Sequence, residues 1–300
     1  MSPPLSQSAE FAAMMSACGQ TPLTVGYGTL ALRRRMLGLP VTLLSRARID
    51  RKTLPGLLHG SGLRRAPVIL NPDAPCPDLA RLGALMLVTP AHVAELDLTG
   101  NLRSGLRQKW RNRLNHALRQ NLAVRDAAMP QDPGHWLFTA DMAQQRARGY
   151  RSWPVRLTLA YTRANPGSAR LFTALHSGRP VAAILLLLHG RAATYHIGHS
   201  TAQGRAVSAH NLLMWHAMTW LAARGITRLD LGPVETESAA GLARFKLGTG
   251  ANARALGGTW LLWPPLMRGM DSAARNRLFE RMFKSTGGSP TCNSAPQPPS

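Results

Sequence analysis

Acidic residues are scarce in this chain, so a cluster of them marks a candidate site. Only 14 of the 300 residues are Asp or Glu, and three of these, Asp230, Glu235 and Glu237, fall within eight positions. Carboxylates can bind an ammonium group or accept a proton from it. We therefore predict that Asp230 takes part in catalysis and that Glu235 and Glu237 contact an amine acceptor. The alternative for Asp230, which ends a short predicted strand, is to cap a turn.

Three histidines, His189, His196 and His199, could converge on one predicted hairpin. His196 and His199 are an odd number of positions apart, so on a regular strand they point to opposite faces. No Cys or acid at ligand spacing completes a metal site. We therefore expect no metal, and we interpret His196 and His199 as polar residues that line an acceptor cleft.

Two segments match the letters of a dinucleotide fingerprint but lack its context. They are 26–31 and 248–253. The fingerprint needs a strand before it and a sizeable helix after it, because the N-terminus of that helix meets the pyrophosphate. Gly38 and Pro40 interrupt any helix after the first match, and the second match follows a helix. The sequence contains no Walker A loop, no Gly-x-Ser-x-Gly elbow and no His-Glu-x-x-His motif.

The composition indicates a folded and strongly basic protein. Lys and Arg number 36, so the formal charge is +22, and 45% of the residues are hydrophobic, which argues against overall disorder. The charge favours partners that carry phosphate, such as RNA, a cofactor phosphate or anionic lipid. Arginine-rich codon usage is the alternative explanation. We expect no DNA partner.

The spacing of the cysteines and the length of the apolar runs indicate the cellular compartment. Cys18, Cys76 and Cys292 are far apart, which excludes a disulfide framework and fits a reducing cytosol. The longest apolar run, 181–188, is far shorter than the roughly 20 residues that span a bilayer. The N-terminus lacks the pattern of a secretory signal. We expect a cytoplasmic protein.

Hydrophobic periodicity predicts the elements that would position these side chains. A basic helix is predicted over 102–119, because Leu102, Leu106, Trp110, Leu114 and Leu118 recur every four residues. Ser208 is a plausible N-cap for a helix over 209–224. Further helices are predicted over 135–148, 155–163 and 242–246. Strands are predicted over 23–25, 41–44, 67–70, 85–88, 171–175, 181–188, 193–199, 228–231 and 255–262.

The order of the later elements resembles the second half of the GNAT acyltransferase fold. Six segments are similar to its FemAB and BioF2-CelD-like branch, and together they cover about residues 93–262. They are LRQKWRNRLNHALRQNLAV at 106–124, VAAILLLLH at 181–189, YHIGHS at 195–200, SAHNLLMW at 208–215, RGITRLDLG at 224–232 and GLARFKLG at 241–248.

This resemblance implies an α/β (α+β) fold, a GNAT-like mixed sheet flanked by helices in two related lobes. The strands at 193–199 and 228–231 would part and leave a cleft. The implied activity is that of an EC 2.3 acyltransferase that moves an acyl, acetyl or aminoacyl group to an amine or hydroxyl. Phe245 and Lys246 would contact the donor or its carbonyl, and the Lys246 cation would stabilise the oxyanion.

The resemblance leaves two donors open, acyl-CoA and aminoacyl-tRNA. The coenzyme A loop of ordinary GNAT enzymes survives only as a degenerate segment at 203–208, whereas FemAB relatives use a charged tRNA. The predicted donor and phosphate ligands are Gln203, Arg205, Ser208, Asn211 and Arg244. The alternative function is a non-catalytic GNAT-like scaffold that binds RNA or an anionic membrane.

The expected organisation has six parts. They are a loose lead-in (1–20), a degenerate GNAT-like lobe (21–98), a basic helical connecting region (99–165), an acyltransferase lobe (166–267), a basic amphipathic helix (268–284) and a disordered tail (285–300). The amphipathic helix, with its preceding Trp-rich segment, could contact the anionic inner face of a membrane peripherally. Packing on the protein itself is the alternative.

Overall fold

Two β-sheets organise the chain in the computed structural model. It describes residues 2–263 except 27, 37, 50, 51, 53, 55, 57, 59–62, 64, 65 and 238. The predicted amphipathic helix at 268–284 and the tail at 285–300 lie outside the described residues.

The N-terminal lobe is built on a six-stranded sheet. Its strands are β1 (Leu23–Val25), β2 (Thr29–Met36), β3 (Leu39–Ala47), β4 (Val68–Pro72), β5 (Leu85–Val88) and β13 (Thr259–Leu262), in the spatial order β1-β2-β3-β4-β13-β5. The last described strand therefore returns to this sheet and pairs antiparallel with both β4 and β5. Leu44, Leu70 and Trp260 belong to the core on this sheet.

The C-terminal lobe is built on a seven-stranded mixed sheet. Its strands are β6 (His92–Asp97), β7 (Leu122–Ala128), β8 (Ala169–His176), β9 (Arg179–His189), β10 (Ala192–Ser200), β11 (Arg228–Pro233) and β12 (Asn252–Ala255), in the order β12-β6-β11-β10-β9-β8-β7. The strands predicted over 171–175, 181–188 and 193–199 are present as β8, β9 and β10, which pair antiparallel in sequence.

Helices cover both faces of this second sheet, as the apolar character of β9 on both faces predicts. On one face, Ile184 and Leu186 pack in a core that includes Leu114 and Leu213. On the other face, Leu185 and Leu187 pack in a separate core. The helices whose bounds the structure describes are α1 (Ala9–Ala17), α2 (Asp78–Arg81), α3 (Leu102–Gly105), α4 (Gln108–Leu118), α5 (Trp136–Arg148), α6 (Val155–Ala164), α7 (Ala202–Ala206), α8 (Ala209–Ala223) and α9 (Ala240–Gly248). Of these, α2 belongs to the first lobe, where Leu79 packs in the core.

The first 20 residues differ from the expected loose lead-in. Residues Leu5–Gln7 form a 3-10 helix, and α1 follows with Ser8 as its N-cap. Met14 and Met15 are buried in the same core as Tyr161 of α6. The sequence gives little sign of this because the helix is stabilised by contacts with residues about 150 positions away.

Two predicted elements are divided in the structure. The helix predicted over 102–119 breaks at Leu106, whose backbone is extended, and the Arg107 amide donates to the Gly248 carbonyl instead of continuing a helix. The strand predicted over 255–262 includes only the last residue of β12 (Ala255) and all of β13, and these two strands lie in different sheets. The chain crosses between the sheets at Gly257 and Gly258, where an added Cβ would lie 2.8 Å or less from backbone oxygens.

The strand pairing also moves the expected lobe boundaries. Strand β6 falls within the expected first lobe (21–98) and β13 within the expected second lobe (166–267), but each pairs in the other sheet. The region expected to be a helical connection also contains β7, the edge strand of the second sheet. The sheet that β6 or β13 joins is decided by pairing with distant segments of the chain, which local hydrophobic patterns do not encode.

Candidate active site

The cleft predicted between two parting strands is present. Strands β10 and β11 pair in parallel only from Ala192 to Thr194 on one strand and from Arg228 to Asp230 on the other. Beyond these residues β10 stays paired with β9, while the pairing of β11 with β6 shifts register. A cavity of about 1260 Å³ opens there, with residues 195–200 on one side and residues 231–233 on the other.

Lys246 lies at this opening with its ammonium group directed toward the end of β11. The side chain projects from α9, the residue is 5% exposed, and Nζ donates a 2.7 Å hydrogen bond to the carbonyl oxygen of Pro233. Burial lowers the Lys246 pKa from 10.5 to about 8, although the carboxylates of Asp230 and Glu235 oppose that shift. The group therefore remains a cation at neutral pH, in surroundings that strengthen its electrostatic effect.

Phe245 also lines the cavity, next to Lys246. Its ring centroid lies 5.1 Å from that of His210 and 6.0 Å from that of Trp110. These contacts hold α9 against α4 and α8, which fixes the direction of the neighbouring lysine. Phe245 and Lys246 therefore both line the cavity, and their contact with a donor stays a prediction.

Two cavity residues that the sequence did not single out are Tyr195 and His210. The Tyr195 hydroxyl lies 2.9 Å from His210 Nε2. Burial lowers the pKa of His210 to about 4 and raises that of Tyr195, so both groups are neutral at physiological pH. The polar pair His210-Asn211 at the start of a mostly apolar helix was the available signal for this site.

His196 and His199 both line the cavity, contrary to the alternation expected for a regular strand. The reason is a β-bulge between Tyr195 and Ile197, which leaves His196 outside the regular register. His196 Nε2 lies 2.8 Å from Thr158 Oγ1, and burial lowers its pKa to about 4. Burial also lowers the His199 pKa. Within the described residues, no group of three or more His, Cys, Asp or Glu side chains could hold a metal ion.

The three clustered acids occupy different positions. Asp230 does not line the cavity: its buried carboxylate pairs with Arg46 of the first lobe and accepts a 2.8 Å bond from the Gly232 amide. Glu235 lines the cavity near Lys246, whereas Glu237 is exposed and lies outside it. Because Asp230 does not line the cavity, we expect it to act through the charge of Lys246 and not by contact with the substrate.

The segment 203–208 leaves few amides free for a pyrophosphate. Residues Ala202–Ala206 form α7, and the amides of Gly204, Arg205, Val207 and Ser208 all donate to atoms within the segment 201–205. Gly204 is packed so closely that an added Cβ would lie 2.2 Å from the Val181 carbonyl oxygen. Gly204 therefore allows this segment to pack closely against β9, and it is not there to let a ligand approach the backbone.

The predicted donor ligands divide between the cavity and its surroundings. Arg205, Ser208 and Asn211 line the cavity, and Asn211 is 4% exposed with no hydrogen-bond partner for its Nδ2. Gln203 is exposed outside the cavity, where its amide lies 2.9 Å from His176 Nδ1. Arg244 lines a neighbouring groove instead of the cavity.

That groove, the basic groove, has a volume of about 720 Å³ and lies between the N-terminus of α4 and α9. Arg107, Lys109, Arg113 and Arg244 line it, and none of the described residues that line it is acidic. Arg113, Asn211, Gly241 and Phe245 border both the groove and the cavity. The two spaces are therefore adjacent.

Comparison with known proteins was made on sequence and on structure. The family model described as the acetyltransferase (GNAT) domain matches residues 101–252. A search of curated protein sequences gives no significant match. Within the described residues, no helix combines the length and the apolar character needed to cross a lipid bilayer.

Solved structures with the same fold cover nearly the whole chain. FemX is similar with a TM-score of 0.72 at 14% identity, over 88% of this chain and 94% of that one. The C-terminal domain of a putative lysylphosphatidylglycerol synthetase from Agrobacterium fabrum gives 0.56 at 14% identity, over 93% of each chain. L-PGS from Bacillus licheniformis gives 0.52 at 14% identity, over 92% of this chain and 94% of that one. At such identities the likeness concerns the fold.

Proposed function

This chain belongs to the GNAT acetyltransferase-domain family, and from that premise we propose that it transfers an aminoacyl group from aminoacyl-tRNA to an amine or hydroxyl acceptor. Its general activity is that of an acyl or aminoacyl transferase. The observation that carries the proposal is the buried Lys246 ammonium at the parting of β10 and β11, with an open cavity in front of it.

Lys246 would act by stabilising the charge that develops during acyl transfer. The acceptor nitrogen or oxygen attacks the ester carbonyl carbon, a new bond to that carbon forms, and the bond to the 3′-oxygen of the tRNA breaks. The proton lost by the acceptor ends on that 3′-oxygen. A fixed cation beside the carbonyl oxygen lowers the barrier to this step. Asp230 and Glu235 support it, because both carboxylates favour the charged form of Lys246.

Two features favour tRNA over acyl-CoA as the donor. The amides at 204, 205, 207 and 208 are already hydrogen-bonded within their own segment, so they do not form a pyrophosphate cradle. The basic groove offers four cationic side chains next to the cavity. A polynucleotide that places its 3′ end in the cavity would lay its phosphates in this groove.

The proposal also includes the location of the protein. We propose that it lies in the cytoplasm and contacts a membrane peripherally through residues 268–284.

The donor is tested by incubating the full-length protein with radiolabelled total aminoacyl-tRNA or with acetyl-CoA, together with a panel of small amines, and the same mixtures without the protein are the control. We expect faster loss of label from tRNA in the presence of an acceptor, and no such gain with acetyl-CoA. Transfer from acetyl-CoA alone would assign the other donor. Salt-sensitive RNA binding without transfer from either donor would favour the non-catalytic scaffold.

Arg107→Ala and Arg244→Ala should each weaken tRNA binding, because each removes a cation that faces phosphate in the basic groove. The slope of the logarithm of the binding constant against the logarithm of the salt concentration should become less steep by about 1 for each lost phosphate contact. Fluorescence anisotropy with labelled tRNA from 50 to 200 mM salt, roughly the range over which such contacts are resolved, measures this. The matched control is Arg163→Ala, an exposed arginine on α6. Equal salt dependence in all variants would contradict this use of the groove.

A further inference from the structure

Asp141 is a buried carboxylate without a cationic partner. It lies on α5, is 6% exposed and lines the cavity. Its Oδ2 accepts a 2.7 Å bond from the Gln145 amide and its Oδ1 a 3.2 Å bond from the Tyr150 hydroxyl. Both donors are neutral. In the part of the chain that the structure describes, no nitrogen of Lys, Arg or His lies within 4.0 Å of it.

Asp230 provides the comparison inside the same molecule. Asp141 and Asp230 are the two buried acids among the described residues. Asp230 has a guanidinium partner in Arg46, whereas Asp141 has neutral hydrogen bonds alone. A buried carboxylate destabilises a fold unless it is paired or well hydrogen-bonded, and a carboxylate can accept about four hydrogen bonds. Asp141 therefore retains unused acceptor capacity on the wall of a cavity.

The surroundings of Asp141 hold it in place relative to Lys246. Gln144 donates to the Tyr150 hydroxyl at 2.9 Å and to the Gly198 carbonyl at 3.3 Å, which ties α5 to the far side of β10. Tyr150 and Tyr195 add aromatic surface to the same wall, and such surface is favourable to an ammonium group. Lys246 of α9, beside the end of β11, and Asp141 of α5 therefore line one cavity, which Arg113, Arg148, Arg151, Arg205 and Glu235 also line.

We propose that Asp141 binds a substrate ammonium group in this cavity. The inference rests on the proposed function, because it assigns the second polar group of the same substrate site. Lys246 faces the reacting carbonyl, and Asp141 with the Tyr150 hydroxyl recognises a primary ammonium. Two substrates carry that chemistry: the α-ammonium group of an aminoacyl donor and the ammonium form of an amine acceptor. Arg148 also lines the cavity but lies beyond ion-pair distance of Asp141.

Binding without turnover distinguishes the two sources. Puromycin and N-acetylpuromycin are a pair of aminoacyl-nucleoside probes that differ in the α-ammonium charge. Ethanolamine and ethylene glycol are a small pair that differ in the same way. Calorimetry for the first pair and ligand-observed NMR for the second measure the preference of the full-length protein for the charged member. The variants are Asp141→Asn and, as a matched control, the exposed Asp132→Asn.

We expect wild type and Asp132→Asn to prefer the charged member of one pair by about tenfold, and Asp141→Asn to lose that preference. If Asp141→Asn loses the preference within the puromycin pair, Asp141 binds the ammonium group of the donor. If it loses the preference within the ethanolamine pair, Asp141 binds the ammonium group of the acceptor. An unchanged preference in Asp141→Asn, or none in wild type, would overturn the proposal. A large fall in melting temperature with an unchanged preference would assign a structural role instead and would also overturn it.

The outcome is separable from that of the proposed function. If transfer from aminoacyl-tRNA is present but Asp141→Asn keeps its ammonium preference, this inference alone fails. If the preference is lost in Asp141→Asn but no transfer occurs from any donor, the proposed function fails and the ammonium site remains.

Discussion

Lys246→Met should lower kcat/KM for aminoacyl transfer by about 100-fold or more while making the protein more stable. The loss follows from removing the cation that stabilises the oxyanion, since one such donor contributes about 10²–10³ in rate. Methionine preserves much of the side-chain volume, so the cavity wall should be retained. The transfer assay measures the first effect and a thermal melt measures the second.

The gain in stability follows from the sign of the pKa shift. The Lys246 pKa falls from 10.5 in the unfolded chain to about 8 in the folded protein, which corresponds to about 3 kcal/mol of unfavourable charge burial at neutral pH. Loss of the bond to the Pro233 carbonyl offsets part of the gain. We therefore expect the melting temperature of Lys246→Met to rise by about 2–5 °C at pH 7.

The same shift predicts a pH dependence. Between about pH 8 and pH 10.5 the unfolded wild-type chain binds more protons at this lysine than the folded protein does. This contribution therefore makes wild-type stability rise with pH in that window, and the rise should be absent in Lys246→Met. The contribution of the ammonium to catalysis should decline as the pH passes about 8. Lys52→Met, at an exposed lysine, is the control. Full activity in Lys246→Met, or a lower melting temperature, would contradict this role.

Arg46→Met should cause the largest loss of stability among the substitutions considered. Arg46 joins Asp73 of the first lobe to Glu95 and Asp230 of the second sheet. Its backbone adopts φ +49°, at a bulge in β3 between Ser45 and Ala47, which directs the guanidinium across the lobe boundary. Arg254 still pairs with Asp73 and Glu95 in the variant, but Asp230 stays buried and loses its ion-pair partner among the described residues.

Removing one partner of a buried ion pair lowers the free energy of unfolding by about 3–5 kcal/mol. Urea denaturation at pH 7 measures this, and Arg81→Met is the matched control. The Arg81 side chain is 79% exposed in its pair with Asp78, so we expect its loss to change stability by less than about 1 kcal/mol. Comparable small effects in both variants would show that the lobes do not depend on Arg46.

Acid should reduce the stability that Glu95 contributes at the boundary between the two lobes. Burial alone would raise the Glu95 pKa, but the hydrogen bond and charge of Arg254, with Arg228 and Arg46, lower it below 4.5. The stability that Glu95 contributes is therefore complete above about pH 4.5 and is lost as the pH falls through the lower, folded-state pKa.

The sequence was informative where residues close in the chain form the feature. Apolar segments separated by turn residues predicted β8, β9 and β10, the Ser208 N-cap and an apolar stripe predicted α8, and the Phe245-Lys246 pair was identified by its resemblance to a motif. Asp141, Tyr195 and His210 were missed because only the fold shows which of them face one cavity. The bulge at His196 changed the predicted facing of two histidines, and no local pattern signals such an insertion. Asp230 was identified as a reactive acid, but its partner Arg46 lies 184 positions away.

The pairing between the lobes illustrates the same limit. One strand was predicted over 255–262, whereas β12 ends at Ala255 and β13 begins at Thr259, with a glycine pair between them. The actual neighbours of β13 are β4 and β5, which lie about 170 or more residues earlier in the chain. The cluster of Arg46, Arg254, Asp73 and Glu95 depends on that crossing. Charge patterning along the chain therefore could not locate it.

The most direct measurement is a crystal structure of the full-length protein with a non-hydrolysable aminoacyl-tRNA 3′-end analogue, in which an amide replaces the ester. We expect its carbonyl oxygen within about 3 Å of Lys246 Nζ, between β10 and β11, with nucleotide phosphates along the basic groove. A bound analogue whose carbonyl lies away from Lys246, or that occupies a surface outside this cavity, would contradict the assignment of the cleft.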